Sequence, residues 1–256
     1  MRYHELPTSD REVYRVTYGE ILKKMKSYYN PRNLGGMARY GIHVEKAYGV
    51  PTPVLWDMAK QIRGDHALAE RLWASEIHEA KILAAFADDP AQVTEEQMER
   101  WARDFDSWDV VDQCCNRLFR RTAYAHRKAV EWTARDEEYV KRAGYVLIAC
   151  LAVHDKAAAD AVFERYLRLI KKGASDERNF VKKAVNWALR QIGKRNLKLR
   201  EAAIKTANQI QKLKSKSARW IAADALRELT NAKTTARIRE KTRERSPKGN
   251  NMNSRG

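Results

Sequence analysis

A carboxylate next to an indole ring is the first feature of the sequence that could do chemistry. In the segment DFDSWDVVDQCCNRLF, Asp112 follows Trp108 by four residues, so the two side chains are neighbours on one helix face. Asn116 shares that face, and the aliphatic residues of the segment fall on the other. Both the acid and the electron-rich face of the indole favour a positive charge. The pair therefore predicts a site for a cation.

Two cations could satisfy Asp112. One is an arginine of a neighbouring helix, which would make the acid part of an ordinary ion pair. The other is positive charge on a substrate, and the residues alone leave both open. Asp109 needs no such role, because Asp106 is a plausible N-cap and Asp109 would then be the acid of a capping box.

A second tryptophan lies in a row of basic residues. On the helix containing NFVKKAVNWALRQIGKRN, Trp187 shares a face with Lys183, Arg190 and Lys194, opposite the aliphatic stripe. The indole could pack beneath a neighbouring helix with Arg190 stacked on it. Alternatively, it could contact a nucleotide while the cations hold phosphates, because stacking and positive charge together are typical of nucleic-acid interfaces.

The net charge favours a polyanionic partner. The chain has 50 Lys and Arg against 33 Asp and Glu, a net charge of +17. From Lys194 onward, 18 basic residues face five acids, so 13 of the 17 net charges lie in the last quarter. A basic surface that serves only solubility is the alternative. Clustering of the charge favours nucleic acid.

The sequence predicts an all-α protein. Apolar residues recur at three- and four-residue spacing, and Pro, Gly, Asp or Ser interrupts them. We predict helices over 10–29, 36–48, 52–63, 65–74, 77–87, 94–104, 107–121, 125–134, 137–152, 156–171, 177–193, 198–211 and 217–231. Many short helices with short connections stack pairwise into a solenoid, and HEAT-like repeats with a concave basic face fit best. We expect a single repeat domain over 1–231 and a basic, disordered tail over 232–256.

The ends and the cysteines restrict the cellular context. The segment MRYHELPTSD has no apolar signal-peptide core, and no stretch approaches the length of a membrane span. We expect a soluble cytoplasmic protein, associated with the nucleoid if it is bacterial. Cys114, Cys115 and Cys150 lack the spacing of a disulfide framework or a zinc site, so we expect them to pack as small apolar residues.

Several segments in a fixed order resemble one family. SWDVVDQ, YVKRAGYVLIA and RNFVKKAVNWALRQIGKRN are similar to segments of DNA alkylation repair glycosylases of the AlkD type. GMARYGI, GVPTPVL, HALAERLWASEIHEAKILAA and SARWIAADALREL extend the likeness from about Gly36 to Leu229. The resemblance implies a HEAT-like solenoid that grips duplex DNA and hydrolyses the N-glycosidic bond of N3- or N7-alkylated purines. It implies base excision repair without a metal or organic cofactor.

The resemblance also implies roles for individual residues. Asp112 corresponds to the catalytic aspartate, and Trp108 and Trp187 correspond to the aromatic residues around the sugar of the lesion. Arg142 corresponds to an arginine near the DNA backbone, and Tyr40 to a tyrosine of the N-terminal helix. Arg142 could instead pair with a glutamate one turn earlier, and Tyr40 could be an ordinary half-buried helix residue.

Further basic residues are candidates for phosphate contacts. They are Lys183, Arg190, Lys194 and Arg219. The expected partner is double-stranded DNA with alkylated bases, with no membrane and no obligate protein partner. The alternatives are a noncatalytic helical-repeat protein that binds damaged or branched DNA, a scaffold for an acidic protein, and an RNA-binding protein.

Overall fold

The computed structural model describes residues 16–245, and the side chains as far as residue 240. Fourteen α-helices make up this part of the chain, and it contains no strand. They are α1 (Tyr18–Ser27), α2 (Pro31–Arg39), α3 (Thr52–Gln61), α4 (His66–Trp73), α5 (His78–Ala87), α6 (Glu95–Arg103), α7 (Trp108–Gln113), α8 (Ala125–Thr133), α9 (Glu138–His154), α10 (Asp160–Gly173), α11 (Asn179–Gly193), α12 (Leu197–Gln211), α13 (Lys216–Leu229) and α14 (Ala232–Arg245). The prediction of an all-α protein is confirmed.

The helices form two layers along the chain. Helices α3, α5, α7, α9, α11 and α13 pack on one another in that order and form an inner layer. Helices α4, α8, α10 and α12 pack against these from the outer side. Helix α9 lies between its neighbours α8 and α11, so every residue from Arg142 to Ala152 is buried. Such pairwise stacking builds a helical-repeat solenoid.

Two boundary predictions near the start are wrong. Helix α2 replaces the helix predicted over 36–48, because Asn30 caps it by accepting hydrogen bonds from two backbone N–H groups and Pro31 opens its first turn. The chain then leaves helical geometry at Gly41, whose φ of +75° suits glycine. The first helix begins at Tyr18 behind a Thr17 capping box, and residues 10–15 of the helix predicted there lie outside the described residues.

The helix predicted over 107–121 changes its winding. Helix α7 ends at Gln113, a π-helical segment runs over Cys114–Leu118, and a 3₁₀ turn follows over Phe119–Arg121. A π-helical turn rotates the following side chains relative to those before it. The segment therefore presents its arginines in a different direction from Trp108 and Asp112.

The chain beyond residue 231 was expected to be disordered, but its first part is helical. Residues Ala232–Arg245 form α14, which contacts α12 and α13 and buries Ile238. One apolar side chain at the right position anchors an otherwise polar helix. Residues 246–256 lie outside the described residues.

Aromatic side chains in mutual contact form one part of the otherwise aliphatic core. Trp73 stacks on Trp101 with ring centres 4.0 Å apart, and Phe119 connects Trp101 to Trp132. Cys114, Cys115 and Cys150 are buried and free, as predicted. Across residues 16–245, no helix has the length and apolar character that crossing a bilayer demands.

Gly144 sets the distance between α8 and α9. A Cβ there would lie 2.5 Å from the backbone N of Thr133 and 2.9 Å from the carbonyl carbon of Trp132. We expect Gly144→Ala to lower the free energy of unfolding by roughly 1–3 kcal/mol, because the helices must separate. Urea unfolding checks this. Gly19→Ala, which meets nothing within 4 Å, is the matched control and should leave stability equal or slightly higher. A neutral Gly144→Ala would contradict this packing.

Candidate active site

A cleft of about 640 Å³ opens between the inner helices on one side and α2 with the loop that follows it on the other. Its walls come from α2, α3, α5, α7 and α11. Trp108, Asp112, Trp187 and Tyr40 all line it, although they are far apart in sequence. The fold thus brings together the three residues expected to be catalytic and one expected to contact DNA.

Asp112 forms a two-pronged ion pair with Arg142. The Nε of Arg142 donates to Oδ1 at 3.0 Å, and one terminal nitrogen donates to Oδ2 at 2.8 Å. The other terminal nitrogen donates to the carbonyl oxygen of Phe180 at 2.7 Å. Arg142 is 5% exposed and links α7, α9 and α11. The ion-pair interpretation of Asp112 is therefore the one observed, with an arginine of α9.

The ion pair does not close Asp112 off from the cleft. Its side chain is 20% exposed and lines the cavity. Burial raises the pKa of the Asp112 carboxyl, and the charge and hydrogen bonds of Arg142 oppose that shift. A carboxylate has about four lone-pair positions, and Arg142 occupies one on each oxygen. The remaining positions can face a cation in the cleft.

Two contacts hold the indole ring of Trp108 in place. Its indole N–H donates to the carbonyl oxygen of Tyr40 at 3.0 Å. The guanidinium carbon of Arg142 lies 5.9 Å from the ring centre. Tyr40 caps the end of α2 and is 74% exposed, so its phenol is free to contact a ligand at the cleft mouth. Tyr40 is therefore not a half-buried helix residue.

Trp187 lines the cleft from α11 and is half-buried. It packs against the core while part of its ring faces the cavity. Arg190 does not stack on it, because the Arg190 guanidinium pairs with Glu228 at 2.5 Å. The stacking of Arg190 on Trp187 is therefore not observed, and contact of Trp187 with a nucleotide stays a prediction.

The other basic candidates lie outside the cleft lining. Lys183 and Arg219 are exposed on α11 and α13. Lys194 pairs with Glu228 at 2.7 Å, as Arg190 does. Their roles in DNA binding stay predictions.

Two residues of the cleft wall, His78 and Glu79, and the buried Ser107 behind it were not predicted from the sequence. Glu79 is buried and accepts hydrogen bonds from the backbone N–H groups of Tyr48, Gly49 and Val50, at 2.6–3.2 Å. It thereby fixes the loop that forms one side of the cleft. His78 and Ser107 bind the carboxylate of Asp109. The pair HE at the start of the apolar helix HEAKILAAFA is the signal that could have revealed His78 and Glu79.

The capping prediction for Asp109 is wrong. Helix α7 is capped at Ser107, not at Asp106, whose carboxylate pairs with Lys81 at 3.2 Å. Asp109 accepts hydrogen bonds from the Ser107 hydroxyl at 2.5 Å and from Nε2 of His78 at 2.9 Å. Burial raises the pKa of Asp109, but His78 and Ser107 outweigh it and keep the pKa below its usual value. Asp109 is therefore an ionised structural acid.

The His78–Asp109 pair makes stability depend on pH. Burial alone would lower the pKa of His78, but the hydrogen bond and charge of Asp109 raise it above 6.5. Because the pKa of His78 is higher in the folded than in the unfolded protein, protonation of His78 stabilises the fold. This contribution is complete below the pKa of the unfolded state and is lost as the pH rises through the pKa of the folded state. We expect His78→Gln to cost more stability at about pH 6 than at about pH 9.

Urea unfolding at both pH values measures this difference. The control is His43→Gln, which changes an exposed histidine of the 40–51 loop. It should cost the same small amount at both pH values. If His78→Gln lowers the free energy of unfolding equally at both pH values, or more at the higher pH, protonated His78 does not stabilise the fold through Asp109.

The comparisons with known proteins agree with this architecture. A solved structure from a family described as related to the HEAT-like repeat DNA glycosylases, with affinity for branched DNA structures, matches the chain with a TM-score of 0.74. The match has 20% identity and covers 87% of this chain and 96% of the other. The fold is thus a HEAT-like repeat solenoid, as predicted.

The family follows from the sequence match. Residues 21–229 match the model of the DNA alkylation repair enzyme family, and the chain belongs to that family. No curated protein sequence matches the chain significantly.

Proposed function

We propose that the protein is a DNA glycosylase that releases N3- or N7-alkylated purines from duplex DNA. The observation that carries this proposal is the placement of Asp112, Trp108 and Trp187 around one cleft, with the carboxylate partly exposed and fixed by Arg142. Family membership and the net charge of +17 support a DNA substrate.

The substrate supplies much of the driving force. Alkylation at N3 or N7 makes the purine cationic, so the base leaves as a neutral molecule and needs no protonation. The electron pair of the C1′–N bond stays with the base, and positive charge develops on the deoxyribose. This state is akin to the oxocarbenium ion of glycoside hydrolysis. Asp112 stabilises that charge and orients the water whose oxygen bonds to C1′, and the proton that this water loses passes to solvent.

The ion pair orients the catalytic carboxylate. A single free aspartate could rotate, but two hydrogen bonds from Arg142 fix the plane of Asp112. Electrostatic catalysis depends on such fixed orientation, because no energy is then spent on rearrangement during the reaction. Arg142 is in this proposal a positioning residue.

The indoles complete the site. Trp108 and Trp187 present their electron-rich faces to the cationic nucleotide, which stabilises it by about 1–2 kcal/mol for each ring if water is excluded. Tyr40 lies at the cleft mouth beside Trp108, where it can contact the DNA backbone. Recognition from the backbone side would also tolerate bulky adducts.

Base release from methylated duplex DNA tests the proposal. Purified protein is incubated with genomic-length duplex treated with a methylating agent, and the released bases are separated by chromatography. We expect 3-methyladenine and 7-methylguanine above the level of a protein-free control. Release no faster than the control would leave the protein without this activity.

The second candidate is a noncatalytic protein that binds damaged or branched DNA. The solenoid similarity to a structure described as having affinity for branched DNA favours it. So does Arg142, because a carboxylate already neutralised by a guanidinium can serve as a purely structural element. This candidate predicts tighter binding to a four-way junction than to a duplex, without base release.

A further inference from the structure

A second cavity, separate from the cleft, contains a cluster of arginines. It encloses about 360 Å³ between the second half of α3, the end of α5 and the chain after α7. We call it the arginine pocket. It is defined by Trp56, Phe86, Arg63, Arg117, Arg120 and Arg121.

The positive charge in the arginine pocket has no acidic counterpart. Lys60 at its edge pairs with Asp57 at 2.7 Å. Within residues 16–240, no Asp or Glu forms an ion pair with any of the four arginines. Hydrogen bonds from the Ala91 backbone and the Gln92 side chain lower the pKa of Asp89, and the charge of Arg121 adds a smaller lowering without an ion pair. Four unpaired guanidinium groups around one cavity repel each other unless an anion joins them.

The floor of the pocket is aromatic. Trp56 and Phe86 stack with ring centres 4.0 Å apart and an angle of 13° between their planes. The guanidinium carbon of Arg117 lies 4.3 Å from the centre of the Trp56 ring. This contact fixes the guanidinium, and its buried Nε has no hydrogen-bond partner within the described part of the chain. A buried donor without an acceptor is uncommon in folded proteins and calls for an explanation.

The π-helical winding concentrates the arginines. It turns Arg117 onto Trp56, and the 3₁₀ turn that follows brings Arg120 and Arg121 to the same cavity. The Nε of Arg120 donates to the carbonyl oxygen of Asn116, which fixes its side chain. Burial lowers the pKa of Arg120, and the charges of Arg121 and Arg117 add to that effect. An anion in the pocket would relieve this repulsion.

The arginine pocket lies next to the cleft, and both are lined by α3, by α5 and by the segment from α7 to Arg121. Thr52 and Leu55 of α3 line the cleft, and Trp56 lines the pocket. On α5, the cleft ends at Ile82 and the pocket includes Phe86, one turn later. The two cavities thus follow each other along α5, and the rise of an α-helix puts Phe86 about 12 Å from His78 at its start. A DNA strand that places one nucleotide in the cleft would pass the pocket a few phosphates further along.

We propose that the arginine pocket binds a backbone phosphate of the DNA strand whose neighbouring nucleotide occupies the Trp108–Asp112–Trp187 cleft. This inference rests on the DNA binding in the proposed function, but not on base release. Guanidinium groups recognise phosphate through paired N–H donors, and the aromatic floor suits the adjoining sugar. The shared chemistry of the ligand is a phosphate group, either in a strand or free in solution.

The experiment compares two double variants with equal charge change. Arg63→Gln with Arg121→Gln removes two exposed arginines of the pocket. Arg165→Gln with Arg168→Gln removes two exposed arginines of the outer helix α10. Binding of each full-length protein to an undamaged duplex is measured by fluorescence anisotropy over a range of salt concentrations. Inorganic phosphate is titrated separately into wild type and the pocket variant.

We expect the pocket variant to bind duplex about tenfold more weakly. The slope of its log affinity against log salt concentration should be less steep by about the value of one phosphate contact. The α10 variant should bind within about twofold of wild type, because its arginines lie on the outer layer. Equal weakening by both variants would show lost net charge only and would overturn the site. Unchanged duplex binding with lost binding of inorganic phosphate would assign the pocket to a free anion and overturn the strand assignment. Base release plays no part in this readout, so an inactive protein that still shows the difference supports the pocket and contradicts only the glycosylase.

Discussion

Asp112→Asn is expected to reduce base release from methylated duplex by about 10²–10³-fold, to near the spontaneous rate. The substitution keeps the shape of the side chain but removes the negative charge that the proposed mechanism places next to the deoxyribose cation. It also leaves the positive charge of Arg142 without a negative partner behind the cleft, so the affinity for DNA should stay equal or rise. The measurements are a single-turnover time course and an equilibrium binding curve on the same duplex.

Asp136→Asn is the matched control. It makes the same change of side chain and charge at an exposed position between α8 and α9. It should leave base release unchanged. An Asp112→Asn protein that binds and folds like wild type and still releases bases at the wild-type rate would remove Asp112 from the mechanism.

Arg142→Ala is expected to have the largest effect on stability. Arg142 is buried, holds both oxygens of Asp112 and donates to the carbonyl oxygen of Phe180. Removing one member of a buried pair leaves an unpaired charge and costs about 3–5 kcal/mol. For a domain of this size, the midpoint of thermal unfolding should fall by roughly 6–20 °C. Differential scanning calorimetry measures it.

A second variant separates the lost partner from the lost packing. Arg142→Ala combined with Asp112→Ala removes both charges, so it should recover part of the stability lost in Arg142→Ala alone. If the double variant is destabilised by the sum of the effects of Arg142→Ala and Asp112→Ala, the two side chains contribute no interaction energy to the folded protein.

The conservative variant Arg142→Lys tests positioning. Lysine keeps the charge but cannot hold both oxygens of Asp112, so the carboxylate loses its fixed plane. Burial already raises the pKa of Asp112, and a weaker partner would raise it further. Base release needs the ionised form, so its acidic limb should move to higher pH. A purely structural role for Arg142 would lower the amount of folded protein without moving this limb.

The helical layers could be predicted because they depend on local pattern. The spacing of apolar residues located most helices of the repeat, including the long buried helix α9. The errors arose where local backbone geometry decides where a helix begins or how it winds. The Asn30 cap moved α2, and the π-helical winding after Gln113 is not encoded in any hydrophobic period. Helix α14 escaped prediction because a single buried residue, Ile238, anchors it.

The sequence predicted which residues line the candidate site, but not which residues they bind. The wheel position of Asp112 beside Trp108 located the acid, and the basic face of α11 located Trp187. The partner of Asp112 lies 30 residues away on another helix. No local pattern could therefore show that Arg142 pairs with Asp112 and not with the glutamate one turn before Arg142. Likewise, His78 and Glu79 act on residues about thirty positions away, Asp109 and the backbone of 48–50.

The most direct test of the central claim is release of 7-methylguanine from a duplex that carries one such base, with wild-type protein in excess. The proposed site predicts a first-order release at least about 100-fold faster than spontaneous loss of the base from the same duplex, in the presence of a chelator. A bound complex that releases the base only at the spontaneous rate would contradict it.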